Sequence, residues 1–237
     1  TVNSAAEPTV SYVSVSYSNA GGGATITACD GTSTNGGNNI NWIFGPCGAK
    51  TGGQGLVGYW AFEEMGGTAA GDFSGKGNAG TLAGAGGLPG WTAGKLGGAV
   101  YFDGTDDKVT VGDPASGVLD FGTGSFTYGM WVYVTATAGS YDMAWYKGGS
   151  SAATAGYDAE LGSSSWTANI ADGSVIKANN FSASPILNRW AHLMAVVDRT
   201  ANQLCTYVDG ASAGACNDLT GFGSVSNAEA AVISGSG

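Results

Sequence analysis

The sequence predicts an all-β fold of the sandwich or barrel kind, and three observations carry that prediction. Short apolar runs alternate with polar residues at a period near two, the spacing at which side chains share one face of a strand. No segment sustains the 3.6-residue period of an amphipathic helix. Glycine supplies 43 of the 237 residues and clusters between the runs, where tight turns need it. A Gly/Ser-rich chain can also be disordered, but disordered chains lack aromatic residues, and this one carries 7 Trp, 10 Tyr and 8 Phe. A hydrophobic content of 43% is enough for the chain to form its own core.

Residues 1–54 form a Thr/Ser/Asn/Gly-rich lead-in with one strand-like run, Thr9–Ser18. Its apolar residues alternate as Val10, Tyr12, then Val13, Val15, Tyr17, slipping phase once as a bulge produces. Asn38–Phe44 follows as a short apolar strand or buried turn. A Gly-rich joint at 51–55 separates this extension from a main domain over 55–237. The main domain is a succession of strand patterns: Leu56–Phe62, Ala99–Phe102, Lys108–Val111, Ser125–Val134 and Trp190–Val197. Trp60, Phe62, Phe102, Trp131 and Trp190 read as core at inward phases, and His192, in an apolar strand without a Cys or second His nearby, reads as a structural histidine.

The four cysteines form two local pairs, Cys29 with Cys47 and Cys205 with Cys216, an even count at close spacing that suggests disulfides and an oxidising compartment. The second pair follows from geometry. Residues 203–216 read as a hairpin turning near Asp209-Gly210. Folding it between Gly210 and Ala211 sets Cys205 opposite Cys216, at the short Cβ separation a disulfide needs. A metal site is the rival, but no CxxC spacing exists and the single His lies elsewhere.

With 8 Lys and Arg against 18 Asp and Glu, the net charge is −10. No basic patch is available to neutralise phosphates, which excludes nucleic acid, and anionic membrane surfaces are disfavoured equally. No run of 18 apolar residues exists, so no membrane insertion is expected. No signal peptide is visible; since the cysteines imply export, Thr1 is expected to mark a processed or truncated start. The expected location is secreted or at the cell surface. Asn180-Phe-Ser182 matches an N-glycosylation acceptor, a triplet common by chance.

Five blocks, in order, resemble one family. They are Gly55–Glu64, Asp72–Leu82, Lys95–Val109, Gly124–Tyr133, and Arg189–Asp198 followed by Tyr207-Val-Asp-Gly210. Together they look like bacterial or archaeal laminin-G-like (LamG) jelly rolls of the concanavalin A-like lectin/glucanase superfamily. The resemblance implies a jelly-roll β-sandwich of two antiparallel sheets with an N-terminal β-rich extension. It also implies a closing strand after the 230–237 position, which this sequence does not show. The strand run Thr9–Ser18 is the expected substitute, from the same chain or from a neighbour.

The same residues bear on chemistry. Related glucanases on this fold use Glu-x-Asp-x-Glu; none of the five Glu stands in that pattern, no Gly-x-Ser-x-Gly elbow appears, and Asp158 with Glu160 lacks a third carboxylate. The expectation is therefore a module that is not an enzyme. Calcium needs six to eight oxygens. Asp72 and Asn78 in one turn, and Asp103, Asp106 and Asp107 in another, are its candidate ligands; the alternative is that they hold turns through hydrogen bonds to the backbone. For glycan, Tyr141, Trp145, Tyr157 and Trp166 are the candidate aromatic platforms, with the core reading open for Trp145 and Trp166. The expected function is carbohydrate or matrix binding in adhesion. The alternative is a structural subunit of a surface filament, pilus or layer, assembled by exchange of the 9–18 strand.

Overall fold

A computed structural model describes residues 14–18, 26–28, 33–35, 42–44, 55–137 and 142–234. All of the regular structure among them is β. The chain divides into two compact units, residues 1–59 with 73–76, and residues 60–72 with 77–237.

In the first unit β1 (Ser14–Val15) pairs in parallel with β3 (Thr34–Asn35), and β2 (Ile26–Ala28) in parallel with β4 (Trp42–Phe44). Ile26 and Ala28 are buried, and the Trp42 indole donates to Ser18 Oγ at 3.1 Å. The strand expected over Thr9–Ser18 is described only from Ser14 onward. Cys29 and Cys47 lie outside the described residues.

The second unit is the sandwich. Its strands are β5 (Ala69–Ala70), β6 (Gly80–Ala83), β7 (Gly90–Ala93), β8 (Gly98–Tyr101), β9 (Lys108–Gly112), β10 (Phe126–Tyr133), β11 (Met143–Lys147), β12 (Gly156–Leu161), β13 (Trp166–Ala171), β14 (Ile176–Ser182), β15 (Trp190–Asp198), β16 (Gln203–Val208), β17 (Ala211–Ser212), β18 (Asn217–Asp218) and β19 (Ala231–Ser234). The larger sheet runs β14-β13-β12-β11-β19-β9-β6-β5; the smaller runs β10-β15-β16-β17, with β18 also on β16. Both are antiparallel throughout. β7 and β8 form a separate hairpin.

The sheets pack face to face. Phe126 of β10 stacks on Phe121 at 4.3 Å and meets Tyr157 of β12 at 5.0 Å. Tyr128 donates its hydroxyl to Asp158 O at 2.6 Å. At one flank the sheets are tied by side chains: Asn179 donates to Leu204 O and Ala215 O, Asn217 to Ala178 O, and Thr206 to Asn180 O. Those bonds give side-chain donors to carbonyls of β14, β16 and Ala215, the pairing that backbone polar groups inside a fold require.

Two cations, the buried Lys147 and the half-buried Arg199, pin loops to this frame. Lys147 is 0% exposed; it pairs with Asp113 at 2.9 Å and Asp120 at 3.1 Å and donates to the carbonyls of Asn227 and Glu229. Arg199 donates to Phe222 O and Gly223 O while its guanidinium lies 5.3 Å from the Phe222 ring.

Three sequence expectations need revision. Leu56–Phe62 is not a strand: only Trp60 bridges, to Asp72, and Phe62 sits at φ 57°, a left-handed conformation that breaks an extended run. Trp131 and Trp190 lie at the outward phase of β10 and β15, because Phe126, Tyr128, Met130 and Val132 take the inward one. The Asp209-Gly210 turn, with φ 51° and 81°, pairs Val208 with Ala211, so it centres earlier than expected. A two-residue slip before β18, which pairs Leu204 with Asn217, restores the register. The Cys205–Cys216 disulfide then closes at a Cα separation of 4.4 Å.

Candidate functional site

Antiparallel pairing places directly opposed residues on one face. β10 and β15 pair Trp131 with His192 and Tyr133 with Trp190. All four therefore project from the outer face of the smaller sheet, away from the core occupied by Leu193, Ala195 and Val197. Trp131 is 43% and Tyr133 47% exposed. Trp131 leans on His192 at 5.1 Å, and Tyr133 meets Trp190 edge-on at 5.6 Å. Met194 and Tyr207, opposed on β15 and β16, extend the same half-exposed face.

Polar groups ring these aromatics. Lys95, in the β7–β8 turn, holds its ammonium 5.5 Å from the Trp131 ring. Asp209 accepts from the His192 backbone N–H and from Arg189, both at 2.8 Å, and those bonds hold its carboxyl below the usual carboxylate range. Glu63 accepts from Gly98 N–H at the base of the β7–β8 turn. Half-exposed aromatic rings with acceptors and donors at their margin are what a sugar needs: its apolar C–H face packs on a ring while its hydroxyls find polar partners. His192, expected to be structural, is part of this outer face.

The sequence-derived glycan platform is placed differently. Trp145, Tyr157 and Trp166 are buried. Tyr157 donates to Leu119 O at 3.1 Å and packs against Phe121, Phe126 and Tyr128. Trp145 sits between Trp60 and Tyr157. These rings face the opposite sheet, where apolar burial outweighs any surface role, and they form core rather than a platform. Tyr141 lies outside the described residues.

Asp103, Asp106 and Asp107 come together, with a ligand oxygen from each within 4.8 Å of the others. The turn uses part of this oxygen set itself. Asp106 Oδ2 accepts from Ala85 and Gly86, Asp107 Oδ2 from Asp103, and Asp103 Oδ1 from Thr105. The other oxygens of Asp106 and Asp107 converge over Gly84. A Cβ there would lie 2.3 Å from Gly87 O, 2.6 Å from Asp107 Oδ1 and 3.2 Å from Asp106 Oδ1. Only glycine leaves this oxygen-lined gap open, and the all-oxygen donor set fits a hard divalent cation. Asp72 and Asn78 do not join the three-carboxylate group. Asp72 accepts from Asn78 N–H at 2.9 Å, and Asn78 O accepts from the Trp60 indole, so this pair ties a turn to the core.

Asp158 and Glu160 share a face of β12 and both accept from Asn169 Nδ2, at 2.8 and 3.4 Å. Asp158 is 0% exposed and its Oδ2 has no partner. Burial is the main cause that pushes its carboxyl up to about 7, opposed by the Asn169 bond and reinforced by Glu160. The same desolvation, with Asp142 adding to it, raises Glu160. A carboxyl sealed from solvent in this way has no access to a substrate.

The concanavalin A-like lectin/glucanases superfamily model, Laminin_G_3, matches residues 103–236. The fold is similar to that of domain 4 of AbnA, a GH43 extracellular arabinanase from Geobacillus stearothermophilus, solved in complex with arabinotriose. That likeness has a TM-score of 0.52 at 16% identity and covers 68% of this chain and 76% of that one. It is also similar to the botulinum neurotoxin serotype D binding domain, with a TM-score of 0.50 at 11% identity over 70% of this chain and 40% of the other. At such identities the likeness is one of fold. No curated protein matches the sequence.

Proposed function

We propose that this chain, which belongs to the concanavalin A-like lectin/glucanases superfamily, is a non-catalytic carbohydrate-binding module of an extracellular or cell-surface protein. The observation that carries this reading is the outward row of Trp131, His192, Tyr133 and Trp190 on the smaller sheet. Fold alone does not assign function; this row is the proposed site. Similarity to a domain solved with arabinotriose supports a sugar ligand, and adhesion to glycan or matrix is the role such a module serves. The Cys205–Cys216 disulfide supports an oxidising, extracellular setting. Calcium, where bound, belongs to the Asp103–Asp107 turn, with Asp106, Asp107 and Gly87 O as its donors. There it would brace the turn between β8 and β9.

Panels of arabino-, xylo-, gluco- and galacto-oligosaccharides, screened against the wild type and a Trp131→Ala/Tyr133→Ala variant, test the proposal. Binding that the double substitution removes, with an unchanged melting temperature, is the expected outcome. Binding that survives the substitution places the site elsewhere.

A second reading, a subunit of a surface filament or layer that self-associates through the 9–18 strand, is supported by one observation. Among the described residues β10 is an edge strand, eight residues long without a single charge or proline.

A further inference from the structure

Asn180-Phe-Ser182 is the single Asn-x-Ser/Thr triplet in the 237 residues. The triplet by itself says little. An N-linked glycan is bulky and needs open solvent, so the placement of the three residues decides whether the asparagine can carry one. They close β14, the terminal strand of the larger sheet. Thr167 of β13 pairs with Asn180 and Trp166 with Ser182, so the register shifts by one residue at Phe181. Phe181 takes the buried position, at 3% exposure, while Asn180 beside it is exposed and Ser182 half-exposed.

The oxygens of Asn180 are in use. Its backbone O accepts from Thr206 Oγ1 at 2.7 Å and its Oδ1 from Thr167 Oγ1 at 3.2 Å. Among the described residues nothing accepts a hydrogen from its Nδ2. Other asparagines of this unit differ. Asn169 spends its Nδ2 on Asp158 and Glu160, Asn179 on Leu204 O and Ala215 O, and Asn227 on Lys147 O and Val225 O. Asn180 thus has a fixed backbone, an oriented side chain and an amide nitrogen free in solvent.

Resting on the extracellular setting proposed above, we infer that Asn180 is an N-glycosylation site. The reaction joins Nδ2 to the anomeric carbon of a sugar carried on a diphosphate. The sugar–phosphate bond breaks, the diphosphate leaves with the bonding pair, and Nδ2 gives up one proton. Among the described residues β14 has no strand on its other side, and Val175 and Ile176 are exposed at its start. Ile176 lies four residues from Asn180, roughly 13 Å along the strand, so the first sugars of a glycan would shade this edge and hinder pairing with another chain. The Asn179 bond to Leu204 O sets β14 beside β16, whereas Trp131 lies on β10 at the far end of the smaller sheet. A glycan here leaves the aromatic row open.

Intact-mass spectrometry and peptide mapping test this on the full chain secreted from a host that N-glycosylates exported proteins. Asn180→Gln, Ser182→Ala and Ser182→Thr accompany the wild type. The wild type is expected to carry sugar mass on the peptide that contains Asn180, and Ser182→Thr to keep it. Asn180→Gln and Ser182→Ala are expected at the bare polypeptide mass. A wild type secreted at bare mass overturns the assignment, as does sugar mass that persists in Asn180→Gln. Ser182→Ala retains the asparagine and decides the matter where Asn180→Gln does not fold. Oligosaccharide binding by the same samples separates the two readings. Bare mass with binding that Trp131→Ala removes overturns this site alone; a glycan on Asn180 without any such binding overturns the carbohydrate-binding reading alone.

Discussion

Asp158 illustrates how much one side chain can shift the stability of this fold. Its folded carboxyl titrates at about 7 against an ordinary 3.8, so the folded state holds a proton that the unfolded chain has already released. Between those values the unfolded state binds fewer protons, and stability falls as pH rises. The loss begins near pH 4 and is complete just above pH 7; a three-unit separation corresponds to up to about 4 kcal/mol. Asp172, Asp209 and Asp218 shift the other way, through hydrogen bonds they accept, and act only at lower pH. Thermal melts are therefore expected to be higher at pH 5 than at pH 8, and Asp158→Asn is expected to flatten the difference. A melting temperature that rises between pH 5 and pH 8 would contradict the assignment. Lys147 is the complementary case, a buried cation facing Asp113 and Asp120. Lys147→Met leaves two carboxylates and two carbonyls without their donor and is expected to cost about 3–5 kcal/mol in denaturant unfolding.

At the scale of elements, the sequence read most clearly where turn chemistry and hydrophobic period agreed. β8, β9, β10 and β15 fall where their alternation put them, and the Asp103–Asp107 turn was visible as an oxygen-rich bend. What alternation could not decide was the facing of β10 and β15. Both phases of Phe126–Tyr133 are apolar, so Trp131 and Tyr133 were as eligible for the core as Met130 and Val132. Trp145, Tyr157 and Trp166 look like loop-adjacent platforms in sequence, because the opposing sheet that buries them is far away along the chain. The oxygen-lined gap over Gly84 was not legible either, since Gly84 precedes the acidic turn by some twenty residues and only the β6–β9 pairing brings them together. Gly84→Ala is expected to destabilise the turn by about 1–3 kcal/mol and to remove any calcium-dependent rise in melting temperature. The hairpin closed by Cys205–Cys216, eleven residues apart, is expected to lose about 3 kcal/mol on Cys205→Ser/Cys216→Ser. A loss confined to the reduced protein's denaturation midpoint, with no change in the m-value, would show that the unfolded state's constraint is not the cause.

Across the second unit, the two faces of the smaller sheet divide labour. Its inner face joins the larger sheet in a core of Leu193, Ala195, Val197, Leu204, Tyr157 and Trp166. Its outer face keeps aromatic rings in solvent beside the Lys95 ammonium and the Arg189–Asp209 pair. Exposing such rings costs stability that burial would have supplied, and the ligand-binding reading accounts for their position. With a net charge of −10 and so few cations, a neutral, hydroxyl-rich ligand suits the surface better than a polyanion.

The most direct measurement is the response of the seven tryptophan indole N–H resonances to an oligosaccharide that binds, followed by NMR. Shifts concentrated at Trp131 and Trp190, with Trp145 and Trp166 unmoved, are what the outward aromatic face requires. Shifts concentrated at the buried pair, or binding that leaves Trp131 silent, would contradict it.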